Sequence, residues 1–346
     1  MEKKIFSMPM FTGMSDGMFE EIFFPFLREY KEYIYDIYFT CIIPPFDNDA
    51  MGQGDIKGSS REATIRYFKM MMRVQEETGI KVSATFNDIS VDSTLDNLDL
   101  FIKNLKPFYA RGLRSITIPH YHWMLTNDLK KNFPEMTIKN TILRRVSKPQ
   151  EYVDYAEVNF DVINIDRYNI RDRDNLKNLK RAYDRFKKPM SILVNEWCRG
   201  SCPAMSEHYQ LNSSKSVDKR YFKLRAGGLT CSSWGKQSPS YALKNANMPI
   251  FREDFDEILN YIQILKLHGR STLSLFEESM EIVKRYADPS EDIIMYKLYD
   301  QVKQYKYDPE RLKNWREFTK NCKFECWDCK KCDELHNSSD QYGFQI

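Results

Sequence analysis

Eight short runs rich in apolar and β-branched residues, each followed by a stretch with helical periodicity, constrain the fold of this chain more than any other feature. The runs are KKIFSM, YDIYFTC, IKVSATF, LRSITIP, MTIKNTIL, DVINID, PMSILVN and IQILKL. Runs of this length and composition read as strands. Between them lie amphipathic segments such as SREATIRYFKMMMRVQEETG, with a Ser-x-x-Glu-like opening and a Gly stop, and RDNLKNLKRAYDRFKK and REDFDEILNYI. A strand that alternates with a helix pairs in parallel, because a parallel neighbour needs a crossover connection. Eight such units over about 270 residues predict a (β/α)8 TIM-like barrel rather than an open sheet.

The alternation breaks once, after the seventh strand, where residues 196–250 form a long insertion rich in Ser, Gly, Lys and Tyr. In a barrel it would lie over the C-terminal face, where catalytic loops gather. Two further helical stretches, Thr272 to Tyr286 and Ile293 to Tyr305, precede a cysteine-dense tail. The expected organisation is a barrel over 1–271 with its insertion at 196–250, then a helical, cysteine-rich extension over 272–346. An apolar fraction of 42% suits a large core, and 52 basic against 49 acidic residues give no global case for nucleic acid. The opening MEKKIFSMPMFTG has no long apolar stretch, and no segment has the roughly 18 apolar residues of a membrane span. The expectation is a cytoplasmic protein, where clustered cysteines hold metal more often than they form disulfides.

Residues just past the strand ends would converge on the barrel mouth. They include Cys41, Asn87, Asp88, His120, His122, Arg144, Arg145, Asp166, Arg167, Asn195, Glu196, Cys198, His268 and Arg270. His120, His122, Glu196 and His208 are the candidate acid–base groups, since histidine titrates near neutrality. Arg144, Arg145, Arg167 and Arg270 are candidates to clamp a small carboxylate cosubstrate, because guanidinium matches carboxylate bidentately. Ion-pair support of Asp166 and Glu196 is the competing role for these arginines. Cys41, Cys198, Cys202 and Cys231 share the same neighbourhood, and four thiolates there suit a [4Fe–4S] cluster or a tetrahedral zinc. The tail carries Cys322, Cys326, Cys329 and Cys332 spaced C-x3-C-x2-C-x2-C, four cysteines within eleven residues. That density reads as a second metal site, an iron–sulfur cluster or zinc. Its first three cysteines have the spacing of radical S-adenosylmethionine enzymes. In those enzymes, however, the motif follows the first strand, so here the match reads as coincidence or an auxiliary cluster.

Three segments carry a resemblance to a known family. They are TILRRVSKPQEYVDYAE followed by VINIDRYNIRDRDNLKNLK; ILVNEWCRGSCPAMSEHY; and MPIFREDFDEILNYIQILKLHGR. Together they resemble the peptidase U32 family, the Asn-Glu-x-Cys-x-x-x-Cys-Pro block being the most distinctive. Some members of that family are collagenase-like peptidases. Others are oxygen-independent hydroxylation proteins acting on RNA or a ubiquinone precursor, with a [4Fe–4S] cluster on four cysteines, and the RNA-acting ones depend on prephenate. The resemblance therefore implies an iron–sulfur barrel protein that catalyses or supports a hydroxylation-type modification of RNA or a small molecule. Cys41, Cys198 and Cys202 resemble the ligands of one branch, with Cys231 assigned as the fourth. The alternatives are a U32-type peptidase and a non-catalytic, cluster-bearing electron-transfer partner. A partner protein is open in each case. SSKSVDKRYFKLR (Ser213 to Arg225) interleaves basic and aromatic residues in a way that either a solvated loop or an RNA-tracking loop explains.

Overall fold

The computed structural model describes residues 4–46, 60–196, 243–244, 248–303 and 309–337. Its strands are β1 (Phe6–Pro9), β2 (Ile34–Thr40), β3 (Lys81–Thr85), β4 (Ser115–Ile118), β5 (Thr137–Asn140), β6 (Ile163–Ile165), β7 (Met190–Leu193) and β8 (Ile264–Lys266). All pair in parallel, in the order β5-β4-β3-β2-β1-β8-β7-β6, so the first strand joins the last and the sheet curls toward closure. At the remaining seam β5 meets β6 through a single bridge, Lys139 to Val162. Side chains reinforce it. Asn140 Nδ2 donates to the Asn164 carbonyl at 3.0 Å, and Asn164 returns bonds to Asn140 from its backbone N–H and its amide. The (β/α)8 barrel expected from the alternation is the fold observed.

The helices are α1 (Phe24–Tyr30), α2 (Ser60–Thr78), α3 (Leu95–Ala110), α4 (Tyr121–Leu125), α5 (Asp128–Asn132), α6 (Pro149–Glu157), α7 (Arg173–Phe186), α8 (Arg252–Leu259), α9 (Leu273–Ala287), α10 (Tyr296–Lys303), α11 (Pro309–Thr319) and α12 (Lys331–Asn337). Helix α7 starts where Asp172 accepts the Asn175 N–H, and stops at Lys187, which adopts a left-handed backbone. Helix α9 returns over β1 and α1, placing Phe276 edge-on to Phe23 and Tyr286 edge-on to Phe6. The aromatic run from Met18 to Tyr38 is therefore mainly core. Phe19, Phe23, Phe24, Phe26 and Leu27 are buried, each side chain contributing ~2–3 kcal/mol of apolar burial. No described helix is long and apolar enough to cross a membrane. Most of the insertion at 196–250 lies outside the described residues.

Within the strands, apolar and polar residues alternate with the pleat. Ile37 and Phe39, Val82 and Ala84, Ile116 and Ile118, and Ile138 belong to the hydrophobic core. The intervening Asp36, Tyr38 and Thr40, Ser83 and Thr85, Ser115 and Thr117, and Lys139 are also buried, on the opposite face. Asp36 and Lys139 form an ion pair between β2 and β5, and Ser115 bonds Ser83 at 3.1 Å. The apolar layer thus lies between strands and helices, while the barrel interior is polar. Barrel interiors are ordinarily filled by branched apolar side chains. Polar groups there cost free energy unless they are partnered or functional.

The cysteine-bearing extension packs back on the barrel. Arg316 Nε lies 2.7 Å from Asp254 at the start of α8, and Lys320 is 2.8 Å from Glu257. The Arg173 N–H donates to the Lys320 carbonyl at 3.0 Å, and Lys244 pairs with Asp333 at 2.7 Å.

Candidate active site

The polar interior opens upward into a cavity of about 40 Å³, lined among others by Tyr38, Thr85, Asn87, Thr117, Lys266, His268 and Arg270. That volume corresponds to about three water sites, at ~10–15 Å³ each. Lys266 ends β8 and is 8% exposed; its ammonium lies 4.2 Å from the centre of the Tyr38 ring. It has no hydrogen bond or carboxylate partner among the described residues, and burial followed by the charge of Arg270 pulls its pKa down to about 7. The Thr85 and Thr117 hydroxyls and His268 Nε2 are buried without hydrogen-bond partners among the described residues. Arg270 Nη1 donates to the Thr40 hydroxyl at 3.0 Å, and its guanidinium lies 5.4 Å from the Tyr38 ring centre. Burial lowers the pKa of His268, so its imidazole is neutral near pH 7 although Glu196 opposes the shift. A small, cation-rich cavity with unsatisfied donors is chemically a seat for a small anion bearing oxygen acceptors.

Three contacts hold these groups in place. Asn195, fully buried past β7, donates from Nδ2 to the His268 carbonyl at 2.9 Å and accepts the His268 N–H at 2.5 Å. Thr12, past β1, donates from both its N–H and its hydroxyl to the Arg270 carbonyl, each at 2.8 Å. Gly269 lies between the two functional residues. A Cβ there would stand 2.7 Å from the Leu275 carbonyl oxygen and 2.9 Å from Phe276 Cα, so only glycine lets α9 approach this closely.

The residues singled out from the sequence divide sharply. Arg270 and Glu196 line the cavity, and Arg167 pairs with Glu196. Arg145 instead binds Asp166 at 2.8 Å and borders a separate open cleft of about 600 Å³, shared with Tyr168, Asp172 and Lys323. Arg144 is exposed and donates to the Pro119 carbonyl, and His122 faces solvent on α4. His120 is buried against Trp123 and Phe46, both ring nitrogens lacking partners among the described residues. Its pKa falls to about 3 through burial, with smaller contributions from the charges of Arg144 and His122. Cys41 is buried in the core, and burial pushes its thiol pKa up. His208, Cys198, Cys202 and Cys231 lie outside the described residues. Sequence reasoning passed over Lys266, Thr85 and Thr117, whose signal was the strict alternation within short strands.

Three of the tail thiols, Cys322, Cys326 and Cys332, lie near Arg171, which ends the short 3-10 helix Arg167–Arg171 after β6. Arg171 is buried; burial lowers its pKa, opposed by Cys332, Cys322 and Cys326 and by a hydrogen bond to Cys322. Trp315 Nε1 donates to Cys332 Sγ at 3.3 Å, and the Phe324 N–H to Cys322 Sγ at 3.4 Å. Donors of this kind stabilise metal-bound thiolate and set cluster potential. Four cysteine sulfurs, two of them receiving N–H donors, suit an iron–sulfur cluster or zinc in donor chemistry. Among the described residues no three His, Cys, Asp or Glu side chains already converge in a metal-holding arrangement, so the Cys322–Cys332 loop would have to draw together around one.

No family model and no curated protein matches the chain. Among solved structures it is similar to one described as the U32 peptidase Mk0906, at TM-score 0.44 and 10% identity, covering 78% of this chain and 95% of that one. A Bradyrhizobium enolase complexed with magnesium and mandelic acid aligns at TM-score 0.36 and 13% identity, covering 62% of this chain and 49% of its own. A mandelate racemase/muconate lactonizing enzyme from a marine actinobacterium aligns at TM-score 0.32 and 10% identity, covering 61% and 52%. Likenesses this distant leave the reading of the site to its own geometry.

Proposed function

We propose that this protein is a barrel enzyme that seats a small carboxylate-bearing cosubstrate in its mouth and carries iron–sulfur on its cysteines. The reaction is an oxygen-independent, hydroxylation-type modification of an RNA or a small molecule, in keeping with the resemblance to the U32 family. One observation carries the reading. The Lys266 amine and the Thr85 and Thr117 hydroxyls, without hydrogen-bond partners among the described residues, share a small cavity with Arg270. Arg270 supplies the guanidinium that pairs with carboxylate, and Glu196, held by Arg167, lines the same cavity. The tail cysteines, with Arg171 and Trp315 as donors to sulfur, would hold a thiophilic metal, which supplies electron transfer or Lewis acidity when bound. Cys41 with Cys198, Cys202 and Cys231 is the second proposed ligand set.

Iron, sulfide and zinc are measured on protein purified without oxygen, beside Cys198→Ala and Cys326→Ala, and pyruvate binding is followed by calorimetry. Separate iron losses in the two variants, with pyruvate binding weakened about a hundredfold in Arg270→Met, are expected. Zinc in the tail alone, with no iron at Cys198, overturns the reading and returns the chain to a U32-type peptidase.

A further inference from the structure

We propose that Lys266 is a nucleophilic amine that condenses with the carbonyl of a small 2-oxo acid whose carboxylate is held by Arg270. The proposal rests on the carboxylate seat described above and adds a covalent step to it. A lysine this deeply buried ordinarily has a carboxylate beside it, as Lys139 has Asp36. Among the described residues Lys266 has the face of Tyr38 and no carboxylate. Tyr38 is itself fixed, its hydroxyl donating to the Leu267 carbonyl. The amine thus stands at the cavity wall over a fixed ring, largely buried and without a hydrogen-bond or carboxylate partner among the described residues. That is the environment in which a lysine keeps its lone pair near neutrality and acts as a nucleophile.

The remaining lining accounts for the rest of the step. The Lys266 nitrogen lone pair forms the new C–N bond to the carbonyl carbon, and the carbonyl π pair moves onto oxygen. Both protons leave nitrogen in turn, and the oxygen departs with them as water, leaving C=N. No oxidant or reductant is consumed. The Thr85 and Thr117 hydroxyls are the unsatisfied groups available to bond the carbonyl oxygen as it gains charge, and His268 Nε2 is the unsatisfied ring nitrogen available to relay a proton. Arg270 lies two positions beyond His268 on the same strand exit, so carboxylate and carbonyl of one short molecule can be engaged together. A cavity of about 40 Å³ restricts the oxo-acid end to a two- or three-carbon unit.

The probe is pyruvate with sodium borohydride on the full chain at neutral pH, followed by peptide mapping and by calorimetry without the reductant. The expected result is a reduced pyruvyl adduct on the Lys266 peptide, enriched about a hundredfold over exposed lysines, whose amines stay protonated at that pH. The adduct disappears in Lys266→Arg and weakens in Arg270→Met. Mapping on the unmodified sequence decides the question even if a variant fails to fold. Pyruvate binding without an adduct overturns the covalent step and leaves the carboxylate seat standing. Neither binding nor adduct overturns both. An adduct spread evenly over surface lysines also overturns the covalent step.

Discussion

At the scale of single residues, His120 and Lys266 show how the same burial yields different chemistry. His120 ends up between Trp123 and Phe46, away from the cavity, and its pKa of about 3 keeps the ring neutral throughout the physiological range. Its folded pKa is below the unfolded value of 6.5, so between those two values the unfolded chain holds more protons than the folded one. The contribution of His120 to stability is therefore fully present above pH 6.5 and is lost as pH falls toward 3. The loss reaches ~5 kcal/mol at most. Urea unfolding of His120→Phe should be flatter than wild type across this window, and parallel pH profiles would contradict that role. Lys266 follows the same sign at higher pH. Its folded pKa of about 7 is below 10.5, so stability rises with pH between the two. Arg270, His268, Lys139 on β5 and the Tyr38 ring on β2 are the groups that act on it, and Glu196 lines the same cavity.

At the scale of elements, the eight strands and the α2, α7, α8 and α9 helices were legible because their periodicities, caps and stops are local. The cavity was less so. A strand buried on both faces of a parallel sheet is usually apolar throughout. Short runs such as KVSAT and SITI pass as such strands, although every second residue is a hydroxyl. Arg270 and Glu196 were readable because they lie past strand ends, whereas Lys266 is the last residue within its strand. His120 occupies an equivalent strand-end position, but the direction of its ring depends on Phe46 and Trp123, which no local pattern reveals. Asn195 shows what the element ends require. Its amide replaces missing ladder bonds between the exits of β7 and β8, as Asn140 and Asn164 do at the opposite seam. Asn195→Ala should cost ~1–3 kcal/mol, because the buried His268 N–H loses its acceptor. It should also lower pyruvate affinity about tenfold by releasing the His268–Arg270 exit. Chemical denaturation and calorimetry on the same preparation check both, and unchanged affinity would separate this brace from the site.

At the scale of the whole molecule, the cysteine-bearing extension and the barrel share buried polar groups. The 3-10 helix after β6 carries Arg167 toward Glu196 in the cavity and Arg171 toward the tail sulfurs, so one short element touches both proposed centres. Asp254 makes the dependence explicit. Burial raises its pKa, and Arg316 from α11 joins the Ile250 and Phe251 N–H groups in opposing that shift. Removing the guanidinium leaves a buried carboxylate without its counter-charge, a loss of ~3–5 kcal/mol in comparable pairs. If the extension unfolds with the barrel, calorimetry of the reduced full chain gives one transition, and Arg316→Met moves all of it downward. If the extension unfolds by itself, two transitions appear and the substitution moves only the lower one. The buried contacts of Arg171, Arg173 and Arg316 favour the single transition, because exposing either partner strands a charge on the other. The tail sulfurs would then stay positioned beside Arg171 for as long as the barrel itself is folded.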